Sequence, residues 1–163
     1  MPTTHLVIIS ERTALSWVLS AQRMAFPPIR ARAAQAINAG DEVLLYSTRG
    51  CFGRPERDLG RVFGHATVAS SVHTLAEPVV FGERNFTEGC ELTIHGLTPF
   101  REGVSLRDHV HQLTVFPDPK SWNIRMRRAS LPLPEADAAL LRNELHPLLK
   151  PYAETVEAYR WPR

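Results

Sequence analysis

The stretch Ile37–Gly50, INAGDEVLLYSTRG, decides how the rest of the chain is read. Asn38-Ala39-Gly40-Asp41 is a turn, because Asn, Gly and Asp accept left-handed backbone or bond back onto it. Glu42–Thr48, EVLLYST, is then a strand of β-favouring, mostly apolar residues. The polar Arg49–Asp58 follows, with two glycines and a proline, and reads as a loop.

Upstream, His5–Ile9 (HLVII) fits a short buried strand. Ser10 is a candidate helix N-cap and Thr13 a second. Ala14, Leu15, Val18 and Leu19 recur at helical spacing beside Trp17. Phe26-Pro27-Pro28 breaks that helix, since proline restricts itself and its predecessor. A second helix is expected from Pro28 to about Ile37, with proline in its first turn and Ile29, Ala33, Ala36 and Ile37 as its stripe.

Downstream, Leu59–Ser71 reads as a long strand interrupted by a bulge at Gly64. Pro78–Phe81 and Glu91–His95 are further strands, with Gly82-Glu83-Arg84-Asn85 as the turn between them. Leu106–Leu113 reads as a short helix, or Leu113–Phe116 as a strand, and Ser121–Arg127 fits either. Residues 134–149 hold a C-terminal helix over Glu135–Leu149, with Pro134 at its entry and Leu140, Leu141, Leu145 and Leu148 as its stripe. A last turn is expected over Thr155–Tyr159. The sum is α+β: five to six strands in a small mixed sheet able to close into a barrel, flanked by helices.

The chain has 163 residues, 44% hydrophobic and 22% charged, with a net charge of +2. That composition excludes disorder, and the length suits one domain over residues 1–163. No apolar run approaches the ~18 residues of a membrane span. Met1–Ser10 has no basic stretch before its apolar run, so no secretory signal is read there. The expectation is a cytoplasmic protein without a membrane partner. Cys51 and Cys90 are too few and too far apart for a disulfide framework or zinc knuckle, and read as reduced, unremarkable thiols.

Of the 19 basic residues 17 are arginine, the side chain better suited to phosphates and base stacking, although a GC-rich coding bias gives the same count. Seven arginines lie between Arg23 and Arg61. Lys120, Arg125, Arg127 and Arg128 form a cluster without an acid, whereas the tail from Leu131 is mixed. This is the footprint of a polyanion partner.

Enzyme signatures are missing: no GxSxG, HExxH, GxxxxGK[ST] or post-strand GxGxxG occurs. His109 and His111 could share one side of a strand, but two imidazoles are short of a zinc site. A Cys–His nucleophile from Cys51 or Cys90 with His65 or His95 is the remaining catalytic option. Aromatic residues near basic ones suit base stacking with arginine on phosphates. Tyr46, inside an apolar strand, reads as core. Trp17 stands between core and site, and Phe26 and Trp122 are less obviously core.

The order of elements resembles the EVE domain of the PUA-like superfamily, a relative of the YTH and ASCH domains. The resemblance rests on Ile37–Gly50, on RVFGHATVASSV (Arg61–Val72), and on the later Lys120-Ser121-Trp122 and Ser130-Leu131. It spans about Leu6–Leu141. Two features depart from the family: His5 replaces an aromatic before the first apolar run, and Arg23-Met24-Ala25-Phe26 replaces a Trp or Gly-Val in the pocket loop.

The resemblance implies a PUA-like mixed barrel and a reader of modified bases without a cofactor. Its expected partner is nucleic acid carrying a modified, methylated base, with DNA favoured over RNA. By position, Ser10, Trp17, Met24, Phe26, Ser47, Thr48 and Arg49 would build the base pocket. Arg23, Arg54, Arg57, Arg61, Lys120 and Arg125 would hold phosphates. Two other readings stay open: an ASCH-like enzyme on modified nucleosides, which the scarcity of lysine disfavours, and a protein-interaction or small-molecule-sensing module on the same barrel.

Overall fold

Strand β1 (Thr4–Ile9) and helix α1 (Arg12–Ala21) open a computed structural model that describes residues 2–28, 36–55 and 58–160. Leu15, Val18 and Leu19 are the buried residues of α1. Full burial of Leu15 and Leu19 stabilises by roughly 1.5–3 kcal/mol each. The helix is entered through Glu11, with no side-chain cap. Ser10 stands one residue too early to cap it and Thr13 lies inside it. At the far end Gln22 adopts a left-handed φ of 52°, which costs a non-glycine residue. The strand it faces offsets that cost: Gln22 Oε1 accepts from the Ile94 N–H at 2.9 Å, and the Gln22 carbonyl from Leu92 N–H at 2.8 Å.

Residues Arg23–Phe26, expected as a loop, form strand β2. Pro27 and Pro28 end it by lacking the N–H a ladder needs. The helix expected from Pro28 to Ile37 falls largely on residues 29–35, outside those described. Gly40 has a φ of 91°, and the Asp41 N–H closes the turn onto Asn38 at 3.0 Å. Strand β3 (Glu42–Ser47) then runs parallel to β1, from Thr4↔Glu42 to Ile9↔Ser47.

Strand β4 (Arg61–Val68) is shorter than expected and antiparallel to β3. Leu45 faces Gly64 but Tyr46 faces Val62, so Phe63 is the extra residue of a bulge beside the glycine. Strands β5 (His73–Phe81) and β6 (Arg84–Leu97) are longer than expected, and the turn between them narrows to Gly82-Glu83. β6 pairs with β5 and β2 along its first half, then with β4. The two-residue β7 (Val104–Ser105) pairs with β4.

Leu106–Asp108 and Val110–Gln112 are 3-10 turns, and Leu113–Phe116 is no strand. His109 lies between the turns, its Nδ1 3.2 Å from Gln112 Oε1, so His109 and His111 do not share a strand face. Trp122–Arg125 is a single helical turn. Strand β8 (Ser130–Leu133) pairs antiparallel with β1. Helix α2 (Glu135–Leu145) stops short of Leu149 and passes into a 3-10 turn carrying Pro147. Leu141 and Leu145 are buried, but Leu148 falls beyond the helix and is exposed. The two-residue β9 (Lys150–Pro151) pairs with β6, and helix α3 (Tyr152–Tyr159) begins earlier than expected.

The strand order β2-β6-β4-β3-β1-β8 makes a curled mixed sheet, a half-barrel of six strands flanked by helices. β1 and β3 are buried on both faces. Val7, Ile9, Val43 and Leu45 join a core with α1 and α3, whereas Leu6, Leu44 and Tyr46 join a second core with α2. Alternation across the pleat makes this division, and explains why the strand's sequence is a continuous apolar run. Among the described residues no helix is long and apolar enough to cross a membrane.

Candidate functional site

A cavity of about 370 Å³ lies where the curled sheet fails to close. Its walls come from the end of β1, from α1, from β2 at one end of the sheet, and from Met126–Ala129, which lead into β8 at the other. The Ile8 N–H donates to the Ala129 carbonyl at 2.9 Å, and the Thr48 N–H to the Ile9 carbonyl at 3.0 Å. These bonds fix the polar rim at the C-terminal end of β1.

Ser10, Trp17, Met24, Phe26 and Thr48 line this cavity. Met24 and Phe26 are each 2% exposed, so they form its floor, and Phe26 offers no free ring face. The Ser10 and Thr48 hydroxyls line it without a hydrogen bond to any described residue. Trp17 is half-buried, edge-on to Phe81 with centroids 5.8 Å apart, and Phe81 is edge-on to Phe86 at 5.2 Å. The β5–β6 hairpin thus contributes Phe81, Arg84 and Phe86, which the sequence reading missed. Arg84 and Phe86 lie in the first part of β6, ahead of the strand expected to begin at Glu91.

Ser47 and Arg49 do not line the cavity. Ser47, the last residue of β3, is 4% exposed and lines a small cavity beside Phe63 and Tyr159 instead. Arg49 is turned into its own loop, where Nε and Nη2 donate to the Pro55 carbonyl at 2.9 and 2.7 Å.

The expected phosphate residues scatter. The Arg23 guanidinium lies over the Trp17 ring, 5.6 Å from its centroid. Arg61 lines a separate, very small cavity with Asp58, Arg101 and Tyr159. Arg54, Lys120 and Arg125 are exposed, and none of them lines the large cavity. Arg57 lies outside the described residues. The cations that do line it are Arg84, Arg127 and Arg128. Arg84 is 3.4 Å from Glu11 and lies over Phe86 at 5.2 Å. Arg127 and Arg128 are exposed and pair with no carboxylate among the described residues. The acid-free run Lys120–Arg128 was the signal that could have found them.

Other candidates resolve into structure. Trp122 packs edge-on against Phe116, with centroids 6.1 Å apart. Tyr46 is core, 3% exposed, and burial pushes its phenol up to about 12. Burial likewise pushes the Cys51 and Cys90 thiols up to about 12, which removes the thiolate a nucleophile needs. His5, in place of the family's aromatic, sits 2.8 Å from Asp41 in the core. Burial alone would raise the Asp41 carboxyl, but N–H donors from Asn38 and Thr3 and the His5 ring outweigh it and hold the pKa below the usual range. The Gly-Asp of the turn is therefore a structural element that ties the start of β1 to the start of β3. Among the described residues no group of three His, Cys, Asp or Glu is placed to hold a metal ion.

No protein-family model matches the sequence, and no curated protein is significantly similar to it. Solved structures do match. The Mmi1 YTH domain in complex with RNA superposes with a TM-score of 0.61 at 9% identity, over 89% of this chain and 78% of that one. Human THYN1 in complex with 5-methylcytosine-containing DNA gives 0.54 at 11% identity, over 87% and 97%. A hypothetical protein from Leishmania major gives 0.58 at 14% identity, over 88% and 94%. At these identities the likeness is one of fold. The chain shares the fold of these structures, the curled mixed sheet flanked by helices described above.

Proposed function

We propose that this chain is a non-catalytic nucleic-acid-binding module that takes one modified, methylated base, turned out of its strand, into the cavity beside β1. The observation that carries the proposal is the cavity itself: about 370 Å³, floored by Met24 and Phe26, walled by Trp17, and lined by the Ser10 and Thr48 hydroxyls and by Arg127 and Arg128, which pair with no carboxylate among the described residues. Its size falls within the roughly 300–1,000 Å³ of small-ligand pockets, and an apolar pocket with few convergent polar groups suits a flipped base. The fold it shares with a YTH domain crystallised with RNA and with THYN1 crystallised with 5-methylcytosine DNA supports the reading.

In this reading the base lies against Trp17, and Ser10, Thr48 and backbone groups at the end of β1 read its hydrogen-bonding edge. Arg23 already covers part of the Trp17 ring, which disfavours a cationic base there and favours a neutral one. Met24 meets the methyl group. Burying one methyl is worth about 0.8 kcal/mol by area, roughly fourfold in affinity, so discrimination also needs the shape of the floor to exclude other substituents. Arg127 and Arg128 hold phosphates, a contact that is salt-dependent and carries little sequence information. DNA is the favoured polymer. Catalysis finds less support, since neither Lys120 nor Lys150 lines the cavity and burial pushes both thiols up to about 12.

Fluorescence anisotropy tests the proposal. The probes are short single- and double-stranded DNA and RNA carrying 5-methylcytosine, 5-hydroxymethylcytosine, N6-methyladenine or no modification, each at two salt concentrations. One modified probe is expected to bind at least tenfold tighter than its plain twin at both salts. Equal, weak binding that high salt abolishes would overturn it.

A further inference from the structure

Ile124 is 63% exposed, the most exposed large hydrophobic side chain among the described residues. A lone apolar side chain on a surface needs no explanation, but three features set this one apart. Its place is fixed: the Ile124 carbonyl accepts from the Arg127 N–H at 3.3 Å, and the Asn123 carbonyl from Met126 N–H at 3.2 Å. Trp122 anchors the start of the same turn against Phe116. The residues that follow, Met126–Ala129, are a wall of the cavity.

The second feature is charge. Lys120, Arg125, Arg127 and Arg128 are all exposed, and none has a carboxylate partner among the described residues. Four exposed cations within four residues of one apolar side chain in the sequence, none paired with a carboxylate among the described residues, are complementary to a polyanion that also presents apolar faces, and stacked bases between phosphates are such a surface. The third is contrast. Val80, 57% exposed, also neighbours the cavity through Phe81, but the cation on that hairpin, Arg84, is already engaged by Glu11.

We infer that Ile124 is an apolar wedge that enters the base stack of a double-stranded nucleic acid, beside the base taken into the cavity. The inference rests on the cavity being a base pocket and adds what that reading leaves open, the strandedness of the target. Insertion of an aliphatic side chain fills the gap that an extruded base leaves and offsets the lost stacking. A base in a flexible single strand leaves no such gap. Lys120, Arg125, Arg127 and Arg128 then grip the phosphates on either side of the step.

The test uses the whole chain as wild type, Ile124→Ser and Ile124→Ala. The probes are a DNA duplex carrying 5-methylcytosine, 5-hydroxymethylcytosine or N6-methyladenine, with 2-aminopurine beside the modified base, and the corresponding single strands. Ile124→Ser is expected to weaken duplex binding at least fivefold more than single-strand binding and to abolish the 2-aminopurine fluorescence rise, with Ile124→Ala intermediate. The side chain is exposed, so the thermal midpoint stays unchanged. A duplex-to-single-strand ratio of losses below fivefold overturns the wedge while leaving the pocket intact. Wild-type protein that prefers no modified probe over its plain twin overturns the pocket reading, and the wedge with it.

Discussion

The Arg142 guanidinium forks onto the Glu42 carboxylate, Nη2 to Oε1 at 2.6 Å and Nε to Oε2 at 2.9 Å, joining α2 to the first residue of β3. Thr4 Oγ1 donates to the same carboxylate at 2.8 Å, and His65 Nε2 lies 2.8 Å from it. Burial works against ionisation, but these partners, Arg142 first, bring the Glu42 pKa from 4.5 down to about 2. A carboxyl whose folded pKa lies below its unfolded value stabilises fully above pH ~4.5 and loses that stabilisation as pH falls toward 2. The shift sets a ceiling of about 3 kcal/mol, which the one-third exposure of Arg142 screens to on the order of 2 kcal/mol. Urea denaturation of wild type and Glu42→Gln between pH 2 and pH 7 should show the variant less stable at pH 7, with a gap that closes toward pH 2.

Gly60 carries no side chain because the Tyr46 ring occupies the place a Cβ would take. Gly60→Ala should displace a tyrosine that is 3% exposed and destabilise by about 1–3 kcal/mol, the ordinary cost of overpacking. Thermal melts measure this directly. An unchanged midpoint would mean that the β3–β4 interior is looser than the structure describes.

The two groups of cavity residues should separate in binding assays. Trp17→Ala removes a wall and should cost modified over plain probe discrimination, by about 1–3 kcal/mol if a base stacks there. Replacing both Arg127 and Arg128 by Ala should weaken both probes alike and make the slope of log K against log salt shallower by about 1–2. Equal losses in both variants would remove the division between reading and grip.

Cys51 and Cys90 are buried, with thiols pushed up to about 12. Neither should react with a thiol reagent at pH 8 in the folded protein, and both should react on unfolding. Counting thiols before and after adding guanidinium decides it.

The strands β1 and β3 and the turn between Asn38 and Asp41 were legible because local chemistry dictates them: an Asn–Gly–Asp turn and unbroken apolar runs leave few alternatives. The helical core of α1 was legible for the same reason, through Leu15, Val18 and Leu19. β2 was not, because Arg23-Met24-Ala25-Phe26 has no strand pattern strong enough to compete with the prolines behind it. Its partners Glu88–Glu91 lie more than sixty residues away. Of the cavity's residues, Ser10, Trp17, Met24, Phe26 and Thr48 were placed through the family resemblance, by their positions along the chain. Phe81, Phe86, Arg127 and Arg128 reach the mouth only through long-range pairing, and Ser47, one residue before Thr48, lines a separate cavity.

Because the cavity occupies the seam between the two ends of the sheet, anything bound there touches both margins of the half-barrel at once. A ligand should therefore act as a staple. Backbone amides in β2 and β8, at opposite ends of the strand order, should slow together in hydrogen exchange on binding, although the two strands share no ladder.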